Sequence, residues 1–381
     1  MNGQRIPNPD LAVGAGNKQR WNQPEFRRHG FHNVYRLFRR AYMVRARAQL
    51  MLKPDECRAL AALPEVATLT TRPEFSALVC AQGDTVVMSR YAADFAPDQP
   101  HSMQSVSKLM IHLIAGRMIA EGLLDPAKPV EAYIPDIGTG YRGARVQDVL
   151  DMNVINDFSE DYADPHASCY TEEIALGWRL PPEGAPETGM GEFVRSVGGD
   201  DLTNHASAIN YCSANTDLLT LICDHLRPGG LPAEIDAIAE AAGIAGALHI
   251  SLSPDGLPAF SGGGCMTATD LARFGLLLAR IAGPAPCPGW NQTFTQAVLT
   301  REAKTLSSPR DRVRYANQMM TNGRWIGHAG YGGQFLMVDT VTGLSCAYFS
   351  VLENEAGYCD DYMAETIACL EAVLTEYARQ D

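Results

Sequence analysis

Positive charge is scarce in this chain. Its 381 residues carry 31 Lys and Arg against 44 Asp and Glu, a formal net charge of −13. Neutralising phosphates needs clustered positive charge, so a general nucleic-acid binder is excluded. Long apolar runs are also missing. Nothing approaches the roughly 18 residues of a membrane span, and integral membrane association is not expected. The opening stretch MNGQRIPNPDLAVGAGNKQRW lacks the apolar segment of about 7–15 residues that marks a secretory signal, which points to a cytoplasmic protein. The ten cysteines form no CxxC pair, and neither HExxH nor HxH occurs. Zinc-ligand spacings are therefore absent, no metal or cofactor is expected, and the thiols read as reduced and mostly buried. There is no GxSxG elbow for an α/β-hydrolase triad and no repeat of about 20–50 residues. What is present is ordinary globular material, 46% hydrophobic and 20% charged, enough for a sizeable core.

Along the chain, residues 1–24 read as a polar lead-in. Residues 26–53 carry Arg27, Arg28, Arg36, Arg39, Arg40, Arg45, Arg47 and Lys53 with no acid among them. Such a segment could dock on a membrane surface or an acidic partner, or lie as an arm on the acidic body with Phe31, Val34, Leu37 and Tyr42 buried. FSALVCAQ and TVVMSRY are β-rich and flank Gly83-Asp84, a hairpin turn. QSVSKLMIHLIAGRMIAEG has helical spacing and stops at Gly122. Helical stretches follow to about residue 260, then the capped helix TATDLARFGLLLARIAG, then strand-like QFLMVDT and LSCAYFSVL, and a terminal helix from Asp361 to Ala378. This order predicts an α+β fold, with one antiparallel sheet assembled from both ends of the chain and a mostly helical domain inserted in the middle. The expected units are an arm over 1–50, an α/β domain over 51–122 and 265–381, and a helical domain over 123–264.

Three short motifs carry chemistry. Ser105-Val106-Ser107-Lys108 opens the long helix, where positions i and i+3 share a face and a neutral lysine can activate a serine. Helix-terminal N–H groups there favour developing negative charge. Tyr211-Cys212-Ser213-Ala214-Asn215-Thr216 heads a second helix, with the tyrosine hydroxyl free to enter a cleft and Asn215 or Thr216 able to serve as the cap. His328-Ala329-Gly330-Tyr331 enters a strand whose glycines allow close approach to a ligand. Two other patterns read as structural. Gly138-Thr139-Gly140-Tyr141-Arg142-Gly143 fits GxGxxG but follows a proline-containing loop. The acids Asp157, Glu160, Asp161 and Asp164 lack a calcium-loop order and read as a solvated loop lining the cleft.

Taken in order, S-x-x-K, Y-x-S and H-A-G resemble the penicillin-recognising serine hydrolases: serine β-lactamases, DD-peptidases and esterase relatives. Within them, MQSVSK, VLDMNVINDFSEDYADP, GWR, YCSANTD and GGGCMTATDLARFG resemble the 6-aminohexanoate-dimer hydrolases over about residues 75–350. The resemblance implies a β-lactamase-like fold and roles residue by residue. Ser105 would be the acylated nucleophile, Lys108 its base and Tyr211 the proton relay, with Ser213 and Asn215 in support. Backbone N–H groups of Ser105 and Tyr331 would form the oxyanion hole. Tyr162, Trp178, Glu173, Ser261 and His328 would contact substrate, Glu173 roughly where the family has an acid facing an ammonium group. Lys108 must be neutral, so a pKa lowered by burial and by cationic or hydroxyl neighbours is expected. His328-Ala329-Gly330 stands where penicillin-binding relatives have Lys-Thr-Gly, so robust β-lactam hydrolysis is not implied. The expected substrate is a small linear amide or short-chain ester. Acyl transfer, D-aminopeptidase work in the same site and a catalytically silent binding protein are the alternatives, and a homodimer is compatible with all of them.

Overall fold

The computed structural model of the protein describes residues 20–380. The greater part of the polar lead-in, residues 1–19, lies outside the described residues.

The main sheet has eight strands, ordered Lys53–Pro54, Thr85–Tyr91, Phe75–Gln82, Ser345–Ser350, Gln334–Asp339, Trp325–Gly330, Met319–Thr321 and Arg314–Ala316. Only the edge pair of Lys53–Pro54 with Thr85–Tyr91 is parallel. The sheet is thus built from both ends of the chain, as its sequence order predicts, and the two ends meet where Cys346 stands opposite Cys80. Its central strands are buried along their whole length, so they read as continuous apolar runs rather than alternating ones. The helices Ala268–Ala282 and Asp360–Gln380 both contact it. Thr267 caps the first of these by accepting from the Asp270 N–H.

The long motif helix divides into a 3₁₀ turn, Gln104–Ser107, and an α-helix, Lys108–Ala120. The α-helix is buried on nearly every side, which explains its all-round apolar sequence. It packs on Ser213–Leu226, the helix that carries the tyrosine motif at its start. The N-cap of that helix is Cys212, without a side-chain cap. Asn215 and Thr216 are instead buried inside, accepting from Tyr141 and donating to Gln318 respectively.

A second sheet was not foreseen. Ala41–Val44, Leu248–Ser251, Gly264–Met266 and His101–Ser102 pair in that order, all antiparallel. Strands of two to four residues give no usable periodicity, which is why sequence patterning passes over them. This sheet ties the basic segment to the body. Phe31, Val34 and Leu37 are buried, while Tyr42 is half-buried with its hydroxyl donating to Asp236. The cations of the segment are largely committed. Arg28 pairs with Asp94, Arg39 with Glu187 and Arg47 with Glu240. Arg27 is buried and donates to the carbonyls of Leu352 and Asn354.

Candidate active site

The site is organised around one backbone irregularity. Gln104 has φ 49°, a left-handed conformation for a non-glycine residue, held by its side-chain amide donating to Ser102 Oγ at 2.7 Å. Such strain persists where the surrounding structure over-determines it. It delivers Ser105 to the first turn of the 3₁₀ segment, half-exposed, with early N–H groups that have no acceptor within the helix.

Lys108, one turn on, is completely buried. Its Nζ lies 3.1 Å from Ser105 Oγ, 2.9 Å from Ser213 Oγ and 2.7 Å from the Ser261 carbonyl oxygen. The roles of two of these partners are fixed. A carbonyl only accepts, and the Ser213 hydroxyl already donates to Glu160 Oε1 at 3.0 Å. A neutral amine therefore spends its two N–H donors on Ser213 and Ser261 and turns its lone pair to Ser105. Burial pushes the Lys108 amine below the usual lysine range, while Glu160, Glu172, Asp217 and Cys212 pull it back without reversing the shift. The expectation of cationic neighbours is corrected here: the charged groups around this lysine are acids, and desolvation alone drives the lowering.

Tyr211 borders the larger cavity beside Ser105, and Lys108 Nζ sits 5.1 Å from its ring centroid. Burial holds the phenol well above the usual tyrosine range, so it keeps its proton rather than standing as an anion. Tyr315 meets Tyr211 edge-on at 6.0 Å and bonds His328 Nε2 at 3.0 Å. His328 is fully buried and lines neither cavity described below. It stands behind Tyr211, which corrects its expected place against the substrate. Gly330 closes the arrangement from the sheet. A Cβ there would fall 2.6 Å from the Met103 carbonyl oxygen, so only glycine lets the strand end come close enough to bring Tyr331 beside Ser105.

Ser105, Tyr162 and Tyr331 border two cavities. The smaller, about 20 Å³, is walled by Glu172, Glu173, Trp178, Ser213 and Ser261. Trp178 donates its indole N–H to Ser251 Oγ at 2.8 Å, and Asn22 brings the N-terminal arm into this wall. Glu173 is paired with Arg179 at 2.9 Å. Its neighbour Glu172 is buried close to Asp217, and Glu172 Oε1 and both Asp217 oxygens have no hydrogen-bond partner. Two buried acids close together cannot both ionise. Burial first, then the charge of Asp217, raises Glu172 well above the carboxylate range, and burial raises Asp217 to about 6. Ser261 serves the lysine through its carbonyl, while its hydroxyl oxygen is buried without a hydrogen-bond partner.

The larger cavity, about 470 Å³, is bounded by Tyr211, Ile209, Leu306, Met320, Arg310 and Tyr358 among others. Glu160 borders it too and is no solvated loop charge. It accepts from the N–H and hydroxyl of Ser213 and from the Tyr162 hydroxyl at 2.9 Å. Sequence reasoning missed the roles of Glu160, Glu172, Asp217, Gln104, Arg310 and Tyr315. Glu160, Gln104 and Asp217 lie inside the quoted motifs VLDMNVINDFSEDYADP, MQSVSK and YCSANTD, and that was the trace that could have been followed.

Among the described residues no group of three or more His, Cys, Asp or Glu is placed to hold a metal ion. No described helix is long and apolar enough to cross a membrane.

The fold is that of the β-lactamase and penicillin-binding-protein-like proteins, and solved structures agree. A Bacillus anthracis protein provisionally described as a 6-aminohexanoate-dimer hydrolase superposes with TM-score 0.79 at 16% identity, covering 99% of this chain and 98% of its own. A D-stereospecific amidohydrolase from Streptomyces gives TM-score 0.55 at 18% identity, over 82% of this chain and 98% of that one. The hydrolase EstCE1, described as having promiscuous acyltransferase activity, gives 0.59 at 16% identity, over 82% and 98%. No protein-family model matches the chain. In sequence, the 6-aminohexanoate-dimer hydrolase of Paenarthrobacter ureafaciens is 31% identical over 359 residues, 88% of each chain. This protein belongs to the 6-aminohexanoate-dimer hydrolase family.

Proposed function

We propose that the protein is a serine hydrolase that cleaves small linear amides, of the kind its curated relative is named for, and short-chain carboxylic esters, through an acyl-enzyme on Ser105. The observation that carries this reading is the buried Lys108 amine 3.1 Å from the Ser105 hydroxyl, with both its N–H donors spoken for.

In the proposed reaction the Lys108 lone pair takes the Ser105 proton as Oγ bonds the substrate carbonyl carbon. The carbonyl oxygen becomes an oxyanion facing the N–H groups of Ser105 and Tyr331, each such donor being worth about 3 kcal/mol in comparable sites. On collapse the C–N bond breaks, Tyr211 gives its proton to the departing nitrogen, and Lys108 restores the phenol. Water then attacks the ester carbonyl, its proton passes to Lys108, and Ser105 regains a proton as the acid leaves. Tyr162 and Glu173 fit a substrate-contacting role, and Trp178 walls the smaller cavity beside them.

The test is p-nitrophenyl acetate followed by rapid mixing, beside a linear amide under steady state. The proposal expects a burst of one nitrophenolate per chain and slower amide turnover, both lost in Ser105→Ala. Full activity in that variant would end it. Acyl transfer to an added amine would show as partition away from the free acid, with the same Ser105 dependence.

A further inference from the structure

The acid-walled side of Ser105 has a counterpart on the other side that nothing above uses. We propose that Arg310 is a specificity residue that receives a carboxylate on the leaving half of the substrate, so that the preferred substrates are amides whose departing amine ends in an anion. This rests on the hydrolase reading of Ser105 and extends it.

Arg310 borders the larger cavity, the same one that Ser105 and Tyr211 open into. Because Tyr211 is the group that hands a proton to the departing nitrogen, this cavity is where the leaving half lies. Among the described residues bordering it, Arg310 is the only cation. Its side chain is 13% exposed, one Nη bonds Asp360 at 2.8 Å, and the guanidinium lies 5.4 Å from the Tyr358 ring centroid. That anchoring leaves the guanidinium incompletely used: its Nε is buried with no hydrogen-bond acceptor. An unfilled donor on a buried charge is costly to keep, and a planar guanidinium is matched in geometry to a carboxylate. The two acids on the same wall do not compete for it. Glu160 is occupied by Ser213 and Tyr162, and Asp161 accepts from the Ala163 N–H. The rest of the lining is chiefly apolar, Ile209, Leu306, Met320 and Ala329, which suits a methylene chain running from the scissile nitrogen to a terminal charge. The Arg310 charge also lies close enough to Tyr211 to favour its ionised form, placing it near the relay rather than at a remote surface.

The experiment compares two linear amides with the same acyl half, the leaving amine ending in a carboxylate in one and in the carboxamide of equal length in the other. In the native protein kcat/KM should favour the carboxylate by about 10- to 100-fold, the range of a charge-assisted hydrogen bond to a buried partner. Arg310→Gln should collapse that ratio to near one, chiefly through KM, and Arg310→Lys should restore part of it. A native ratio near one overturns the proposal without any variant, as does a high ratio that survives in Arg310→Gln. Should Arg310→Gln fail to fold, the native ratio and competitive inhibition by the free ω-amino acid, against its amide, still decide. The p-nitrophenyl burst separates the failures. A normal burst with no carboxylate preference sinks only Arg310, whereas no burst and no turnover sink the reading of Ser105.

Discussion

The two sides of Ser105 are built on different principles. One is a narrow space of about 20 Å³ walled by ionisable and polar groups, the other a chamber of about 470 Å³ with mostly apolar walls and a single cation. On the narrow side Glu173 is paired with Arg179, and burial holds Glu172, close to Asp217, well above the carboxylate range. On the wide side the charge is left partly unsatisfied at Arg310. Both sides keep buried unpartnered polar atoms, oxygens at Glu172 and Ser261 on the narrow side and the Arg310 Nε donor on the wide side. The nucleophile lies at the border between them, and its base belongs to the narrow side, where desolvation is most complete.

That contrast can be broken at several points. The largest effect is expected at the base. Lys108→Ala should lower kcat/KM by at least about 10³-fold for amides and esters alike, since it removes the proton acceptor from both. Steady-state kinetics on both substrates checks it, and a surviving ester activity would mean another base. Tyr211→Phe separates the substrates instead. Amide cleavage should fall about 10²- to 10³-fold, with a much smaller loss on p-nitrophenyl esters, whose leaving group needs no proton. Equal losses would remove Tyr211 from the relay.

Gly330→Ala tests the sheet's contribution. A methyl group 2.6 Å from the Met103 carbonyl oxygen must push Tyr331 away from Ser105, and losing one oxyanion donor should cost about 10²-fold in kcat with a smaller change in KM. An unchanged kcat would contradict the placement of that N–H.

The last effect is on stability rather than on turnover. Burial lowers His112 to about 4 and His32 to about 4. Both lie below the unfolded value, so the unfolded chain binds these protons first. Stability should be intact above about pH 6.5 and fall as pH drops toward 4, by up to about 3 kcal/mol for each histidine. Urea midpoints across that range measure it, and His112→Gln should flatten the slope. A midpoint independent of pH from 6.5 to 4 would refute the account of these residues.

What could be read from the sequence was whatever the chain keeps local. Ser105 and Lys108 are three residues apart on one helix, so their meeting follows from helical geometry alone. Gly83-Asp84 and Thr342-Gly343 each join strands adjacent in sequence, and the sheet built from both ends followed from the order of elements. The resemblance carried Tyr211, Tyr162 and Trp178 to the site's edge. Residues whose role depends on distant partners stayed hidden. Glu172 becomes an unusual acid only because Asp217 is folded against it, and Arg310 looks like any loop arginine until Asp360 and Tyr358 hold it beside Tyr211. His328 failed in the other direction: its motif is at the site, but burial and the Tyr315 bond turn it inward.

The central claim is that Lys108 rests as a neutral base. Labelling lysine side chains with ¹³C and following the Lys108 signal with pH, alongside kcat/KM, tests it directly. The account predicts a midpoint below the usual lysine 10.5 that coincides with the acidic limb of kcat/KM. A lysine that stays charged through that limb would contradict it.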